Sequence, residues 1–265
     1  MVSAQHRQRF YVTNFGDIEQ PEDRKILLRD VLESGKDLSC REKAYTLTAS
    51  YGGAVAWNTL ERNRRTMVAE PVCVGYRGRM ENGGSQGTKT GLYAIPVEFD
   101  GNVPTKAVSC ADGKVYTVYE VRDGQITIKD RRYPIKLQDG YYIIRKLTPT
   151  ECERLQTMPD GYTAAVSNSQ RHKALSNGWT AEVIIHILNH ALKDVPRDEK
   201  LVVLSMYDGI ATGRYCLDKM GFKNIEYYAY EIDPYAQKIA MSNYPDIVRC
   251  GDAFRVRGDD WKIPG

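Results

Sequence analysis

The stretch that decides the fold is "LSMYDGIATG", Leu204–Gly213, which continues the apolar run "LVV" at 201–203 and ends in glycine where a helical pattern begins. A strand, a glycine turn and a helix in that order open a parallel, doubly wound sheet, and the loop leaving the strand's carboxyl end is where such a sheet holds a nucleotide. Gly209 and Gly213 allow close approach of backbone to a ligand. The turn lacks the G-x-G-x-x-G spacing, so taken alone it reads equally well as a tight connection.

Downstream the pattern repeats: "IEYYAYEI" reads as a strand, a helix starts at Pro234, Pro245 breaks it, and "DIVRC" is a third strand. Residues 201–252 thus predict a βαβαβ unit. Glu231 ends the second strand, where a carboxylate accepts hydrogen bonds from both ribose hydroxyls, and Asp252, in "CGD", ends the third, where it can accept from an adenine amine. Tyr207 or Ile232 can cover the adenine face. Adenosine without a pyrophosphate fits this set; the competing reading is that Glu231 and Asp252 cap the turns that follow them.

Upstream, "KLTPTECERLQTMPDGY" carries a full helix start, with Thr148 as N-cap, Pro149 first in the helix and Glu151 closing a capping box. "NGWTAEVIIHILNHAL" predicts a second helix with Val183, Ile184, Ile187, Leu188, Ala191 and Leu192 in one apolar stripe. His186 and His190 share a face of it, but no third metal ligand is nearby, so no metal site is expected. Residues 36–140 differ in texture: short alternating runs such as "KVYTVYEV" and "QITIKD" separated by Asp-Gly turns predict a small twisted β module.

Net charge is only +3, yet residues 41–91 hold eight Lys/Arg against four Glu, a local +4. Its pieces, "RNRR" at Arg62–Arg65 and "YRGR" at Tyr76–Arg79, sit among glycines and aromatics, a pattern suited to loops that meet a polyanion and also to a plain solvated surface. The six cysteines lie more than thirty residues apart with no CxxC pair, which points to reduced thiols used in packing. No apolar run approaches the roughly 20 residues of a bilayer span, and "MVSAQHRQRF" lacks a signal's apolar middle; a cytoplasmic protein with no membrane partner is expected.

"LSMYDGIATGRYCLDKMGF" with the later "YEID" and "GD" resembles the first three motifs of the DNA cytosine-5 methyltransferases, especially the mammalian de novo enzymes and their phage and bacterial relatives. "RKLTPTECERLQTMPD" at 145–160 and "RHKALSNGWTAEVI" at 171–184 resemble the family's closing helices, and "VSAQHRQRFYVTN" resembles its arginine motif. The resemblance implies an α/β fold: a Rossmann-like, S-adenosylmethionine-dependent methyltransferase sheet, incomplete and circularly permuted, with a small β-rich target-recognition domain. The implied division is 1–35 for the arginine piece, 36–140 for target recognition, and 141–265 for the closing helices and cofactor unit.

The resemblance also assigns roles. Arg7 and Arg9 would hold the oxygen side of a flipped cytosine. The loop of Tyr207, Asp208, Gly209, Ile210, Ala211, Thr212 and Gly213, with Glu231, Ile232 and Asp252, would bind S-adenosylmethionine, and Asn177, Gly178 and Trp179 would close over its methionine end. Thr46, Thr48 and Ser50, in a loop that resembles the opening of the recognition module, would face double-stranded DNA with Arg62, Arg64, Arg65, Arg77 and Arg79. The bland alternatives are a solvated N-terminus for Arg7 and Arg9 and a core position for Trp179.

The order of motifs departs from the family's, and the family's nucleophilic cysteine and acidic glutamate have no counterpart. None of the 11 prolines precedes a cysteine, and the Glu-Asn pair at Glu81 runs on into "GG". Cys40, Cys73 and Cys110, in the recognition region, are not promoted to nucleophile. A half-sheet with an apolar parallel edge implies a second protein chain carrying Pro-Cys and Glu-Asn-Val. The expected activity is methyl transfer from S-adenosylmethionine to cytosine carbon 5, which a thiolate at carbon 6 makes nucleophilic. The alternative is a non-catalytic DNA-binding or regulatory subunit of a methyltransferase. A bacterial or phage-encoded, nucleoid-associated protein of restriction-modification type suits either.

Overall fold

In the computed structural model, residues 2–74 and 93–255 are described. The chain opens with β1 (Gln5–His6), a long irregular passage that includes a 3-10 turn at Leu28–Asp30, β2 (Lys36–Asp37), β3 (Ala44–Tyr45), α1 (Ala56–Leu60) and β4 (Met67–Pro71). Five more strands follow: β5 (Ile95–Asp100), β6 (Val103–Val108), β7 (Val115–Arg122), β8 (Gln125–Ile128) and β9 (Arg131–Pro134). Then come β10 (Gly140–Lys146), α2 (Pro149–Leu155), α3 (Asn168–Asn177) and α4 (Ala181–Ala191). The last part is β11 (Leu201–Met206), α5 (Thr212–Lys219), β12 (Ile225–Tyr230), α6 (Pro234–Asn243) and β13 (Val248–Gly251).

β2 to β10, without β3, form one antiparallel sheet in the order β2-β4-β10-β7-β6-β5, with β8 and β9 continuing off β7. Turn chemistry explains the hairpins. Asp123 and Gly124 between β7 and β8 both take left-handed φ, 52° and 68°, which matches the right-handed strand twist. The β8–β9 turn does the same with Lys129 and Asp130, at 48° and 62°, so a non-glycine pair adopts a conformation that sequence reasoning reserves for glycine. β10 pairs with both β4 and β7. The β-rich region therefore runs on to Lys146 rather than ending at 140: the strand "GYYIIRK" buries Tyr142 and Ile143 between two neighbours.

The N-cap of α2 forms as its residues dictate. Glu151 N donates to Thr148 Oγ1 at 3.1 Å, and Thr148 N donates back to Glu151 Oε2 at 2.8 Å. Glu151 does more than cap. With Glu70 it encloses the fully buried Arg145, whose Nη2 and Nη1 donate to Glu151 at 2.8 and 2.9 Å and whose Nε donates to Glu70 Oε2 at 3.0 Å. This ion triad bolts the antiparallel sheet to the helices.

The second sheet is parallel, in the order β11-β12-β13. One continuous core joins Leu38, just after β2, and Val68 of β4 to Leu155, Leu175, Ile184, Cys216 and Ile239. A smaller one packs Leu217, Phe222, Tyr227, Ala240 and Ile247 beneath α5 and α6, with Leu188 and Leu192 of the α4 stripe against it. No helix among the described residues is long and apolar enough to cross a membrane.

Candidate functional site

The loop from β11 to α5 is held by its own backbone geometry and by the end of β12. Tyr207, Gly209 and Ala211 take φ of 55°, 66° and 61°, two of them non-glycine residues in a region that costs each about 1 kcal/mol. Neighbouring groups hold that strained path. Asp208 N donates to Tyr230 O at 3.0 Å, and Gly209 N donates to Glu231 Oε2 at 2.8 Å. Glu231 Oε1 also accepts from Ile232 N and Asp233 N, each at 2.8 Å. Asp233 in turn caps α6, accepting from Tyr235 N at 2.9 Å, as a carboxylate before Pro234 should.

This loop faces the C-terminal end of α3 across a cleft of about 390 Å³, within the range of small-molecule sites. Asn177, Gly178 and Trp179 line one wall; Tyr207, Asp208, Gly209, Ile210, Thr212 and Glu231 line the other. The structure thus brings together, from segments thirty residues apart, nine of the residues that sequence reasoning nominated. The bland reading of Trp179 as core does not hold, since it is 45% exposed on the cleft.

Asp208 is the most unusual group here. Its Oδ1 accepts from Ser205 Oγ and Tyr227 Oη, both at 2.7 Å, while its Oδ2 is buried with no hydrogen-bond partner among the described residues. Burial, with some help from the charge of Glu231, pushes its carboxyl above the ordinary value. A buried acceptor left unsatisfied beside an open cleft is a place for a ligand's donor. The space above Gly209 is open as well, with nothing within 4 Å of a Cβ built there. An acidic acceptor with lone pairs to spare at Glu231, an open glycine backbone and the rings of Tyr207, Tyr235 and Trp179 fit a nucleoside bearing a polar tail.

Four nominated residues stand elsewhere. Ala211 is fully buried, and a Cβ at Gly213 would meet Tyr227 Oη at 2.7 Å, so both serve packing under the loop rather than lining the cleft. Ile232 is 67% exposed and off the lining. Asp252 caps the last turn, accepting from Phe254 N at 2.9 Å; the Phe254 ring meets Tyr207 edge-on at 5.8 Å.

Sequence reasoning missed Lys173, Asp233 and Tyr235. Lys173 Nζ donates to Asp233 Oδ2 at 2.8 Å, spanning the cleft mouth; that hydrogen bond raises the lysine and lowers the carboxyl. The helical spacing of Lys173 and Asn177, one turn apart, was the available signal.

The two N-terminal arginines differ. Arg7 is half-buried, with its guanidinium on the carbonyls of Gly178 at 2.6 Å, Ser176 at 3.1 Å and Leu47 at 3.5 Å. Burial, then the nearby Arg9, lowers it to about 10. It is therefore neither solvated nor held free for a ligand. Arg9 is exposed and donates to the adjacent Gln8 carbonyl at 2.9 Å.

On the β module, Thr46 Oγ1 donates to the His6 carbonyl, while Thr48 and Ser50 are exposed with hydroxyls 3.4 Å apart. Arg62 lies 4.4 Å over the Trp57 ring, and Arg64 is exposed. Arg65 folds back on its own loop, donating to Ser50 Oγ at 2.8 Å and Gly53 O at 2.9 Å, so its donors are used internally. Arg77 and Arg79 lie outside the described residues. His186 Nε2 contacts the Glu19 carbonyl at 2.8 Å and His190 stacks on Phe15.

A family model described as "C-5 cytosine-specific DNA methylase" matches residues 3–193, from the arginine segment through the antiparallel sheet to α4. A search of curated proteins returns no match.

Proposed function

The chain belongs to the C-5 cytosine-specific DNA methylases, the family model covering about seven-tenths of it, and from that membership we propose that it forms the cofactor-binding and target-recognition part of a circularly permuted, split enzyme. It works with a partner chain that supplies the Pro-Cys nucleophile and the Glu-Asn-Val acid. The observation that carries the cofactor half of this reading is the cleft, where Asn177, Gly178 and Trp179 meet Tyr207 to Ile210 and Glu231.

S-adenosylmethionine, when bound there, supplies an electrophilic methyl group. Glu231, already anchored by three backbone amides, has lone pairs left for the ribose hydroxyls, and the unpartnered Asp208 Oδ2 accepts a donor from the cofactor. Tyr207, with Phe254 at its edge, covers the adenine, with Ile232 and Asp252 at its outer rim. Arg9, exposed and donating to the neighbouring Gln8 carbonyl, steadies the oxygen of an extruded cytosine. Thr48, Ser50, Arg62 and Arg64 contact duplex DNA.

Two exposed apolar segments support the partner. Val202 and Leu204 on β11, whose outer edge pairs with no described strand, are 41% and 39% exposed. Phe10 and Val12, alternate residues in the irregular N-terminal passage, are almost wholly exposed. Parallel strands with apolar side chains are stable only when covered.

The test is calorimetric binding of S-adenosylhomocysteine to the full chain, beside transfer of labelled methyl groups to duplex DNA. Binding without transfer is expected, with Glu231→Ala abolishing the binding. Transfer by the isolated chain would refute the partner-supplied cysteine. Absence of binding would refute the cofactor site and favour a non-catalytic DNA-binding subunit.

A further inference from the structure

Three parts of the chain meet at Arg7. β1 pairs in parallel with β3, His6 opposite Tyr45, and Arg7 is the next residue. Its Nη2 donates to the Ser176 and Gly178 carbonyls at 3.1 and 2.6 Å. These carbonyls belong to the end of α3, where helix carbonyls lack intrahelical partners and the dipole draws a cation. Its Nη1 reaches Leu47 O at 3.5 Å, between Thr46 and Thr48 of the loop assigned to DNA.

The cleft wall that Arg7 holds is braced from its other side too. Gln156 Nε2 donates to Leu175 O at 2.7 Å, and Thr180 Oγ1 donates to Gln156 Oε1 at 2.9 Å. Both ends of the segment 177–179 are therefore fixed, and the longest of these bonds is the one from Arg7 to the recognition loop. A displacement of Leu47 reaches the cofactor wall through a guanidinium that is half-buried and so sensitive to the loss of an acceptor, beside the packing of Tyr51 on His172 of α3.

We propose that Arg7 is a positioning residue that couples engagement of the recognition loop by duplex DNA to the placement of the Asn177–Trp179 wall against the cofactor. The proposal rests on the cofactor reading above. Because such coupling is reciprocal, DNA tightens cofactor binding by the same factor that cofactor tightens DNA binding.

The experiment measures the dissociation constant of S-adenosylhomocysteine for the full chain, calorimetrically, with and without a short duplex; the ratio of the two constants is the readout. A purely structural role would shift both constants and leave their ratio alone. For the unaltered chain a ratio of about fivefold or more is expected. Arg7→Ala should bring it close to one, and Arg7→Lys, which keeps the charge but loses the fork of donors, should retain part of it. Thermal melts accompany each variant, and if the alanine variant does not fold, the lysine variant alone decides by whether its ratio falls. A ratio of one in the unaltered chain, or a full ratio in a folded Arg7 variant, would overturn the coupling while leaving the cofactor site intact. No binding under either condition would overturn the cofactor reading and the coupling with it.

Discussion

Gly213→Ala tests why the loop between β11 and α5 ends in glycine. A Cβ at this position would lie 2.7 Å from Tyr227 Oη and 3.8 Å from its Cζ. Tyr227 is 2% exposed, so the hydroxyl has no free space into which to swing. The alanine must push it off Asp208 Oδ1, which it now reaches at 2.7 Å. Overpacking a core position costs about 1–3 kcal/mol and loss of a hydrogen bond to a carboxylate about 1.5–3 kcal/mol. Better helix propensity offsets about 1 kcal/mol. A net loss of about 2–4 kcal/mol is expected. In a Tyr227→Phe background the oxygen is gone, and the same alanine should be neutral or stabilising by up to about 1 kcal/mol. Urea unfolding of the four proteins forms a double-mutant cycle. If the alanine carries the same penalty in both backgrounds, the steric argument is wrong, and glycine is needed at 213 for another reason.

Arg145→Met should destabilise by about 3–5 kcal/mol in urea melts, because it strands the buried carboxylates of Glu70 and Glu151; a cost under about 1 kcal/mol would show the triad to be dispensable. Burial works against the charge of Glu70, but hydrogen bonds from Cys110 and Ser109 hold its carboxyl below the usual 4.5. Its contribution should therefore be present above about pH 4.5 and be lost as pH falls through the lower folded value, read as a falling urea midpoint. Cys110, pushed up to about 11 by burial and the Glu70 carboxylate, should alkylate at pH 8 on the order of a hundredfold more slowly than free cysteine; rapid labelling would reopen it as a nucleophile. Arg62→Ala with Arg64→Ala should weaken DNA binding and reduce the salt slope by up to about 2, whereas Arg65→Ala, by freeing Ser50 and Gly53, should act through loop stability. An unchanged slope in the double variant would remove both arginines from the interface.

Local chemistry was readable wherever one segment is sufficient to satisfy itself. The capping box at Thr148 and Glu151, the Asp-Gly turn at 123–124 and the start of α6 at Pro234 each follow from side chains a few residues from the backbone groups they serve. The Lys129-Asp130 turn escaped notice because the sheet, not the residues, imposes its left-handed φ. The strand ends at Glu231 and Asp252 were legible from periodicity, but only packing separates them. Glu231 reaches across to Gly209 in the cleft, whereas Asp252 turns back on Phe254.

The sequence by itself determined the parallel βαβαβ order, the helix starts and the family, because strand period, cap residues and motif spacing are all short-range. Tertiary structure alone decided which nominated residues meet. Gly213 accommodates a tyrosine hydroxyl from the next strand. Arg7 ties a helix end to a loop forty residues from it in sequence. Asp208 keeps one oxygen without a partner among the described residues, beside the cleft. Each of these depends on atoms brought together across long sequence separations, where no local pattern constrains the pairing and burial sets what a side chain is for.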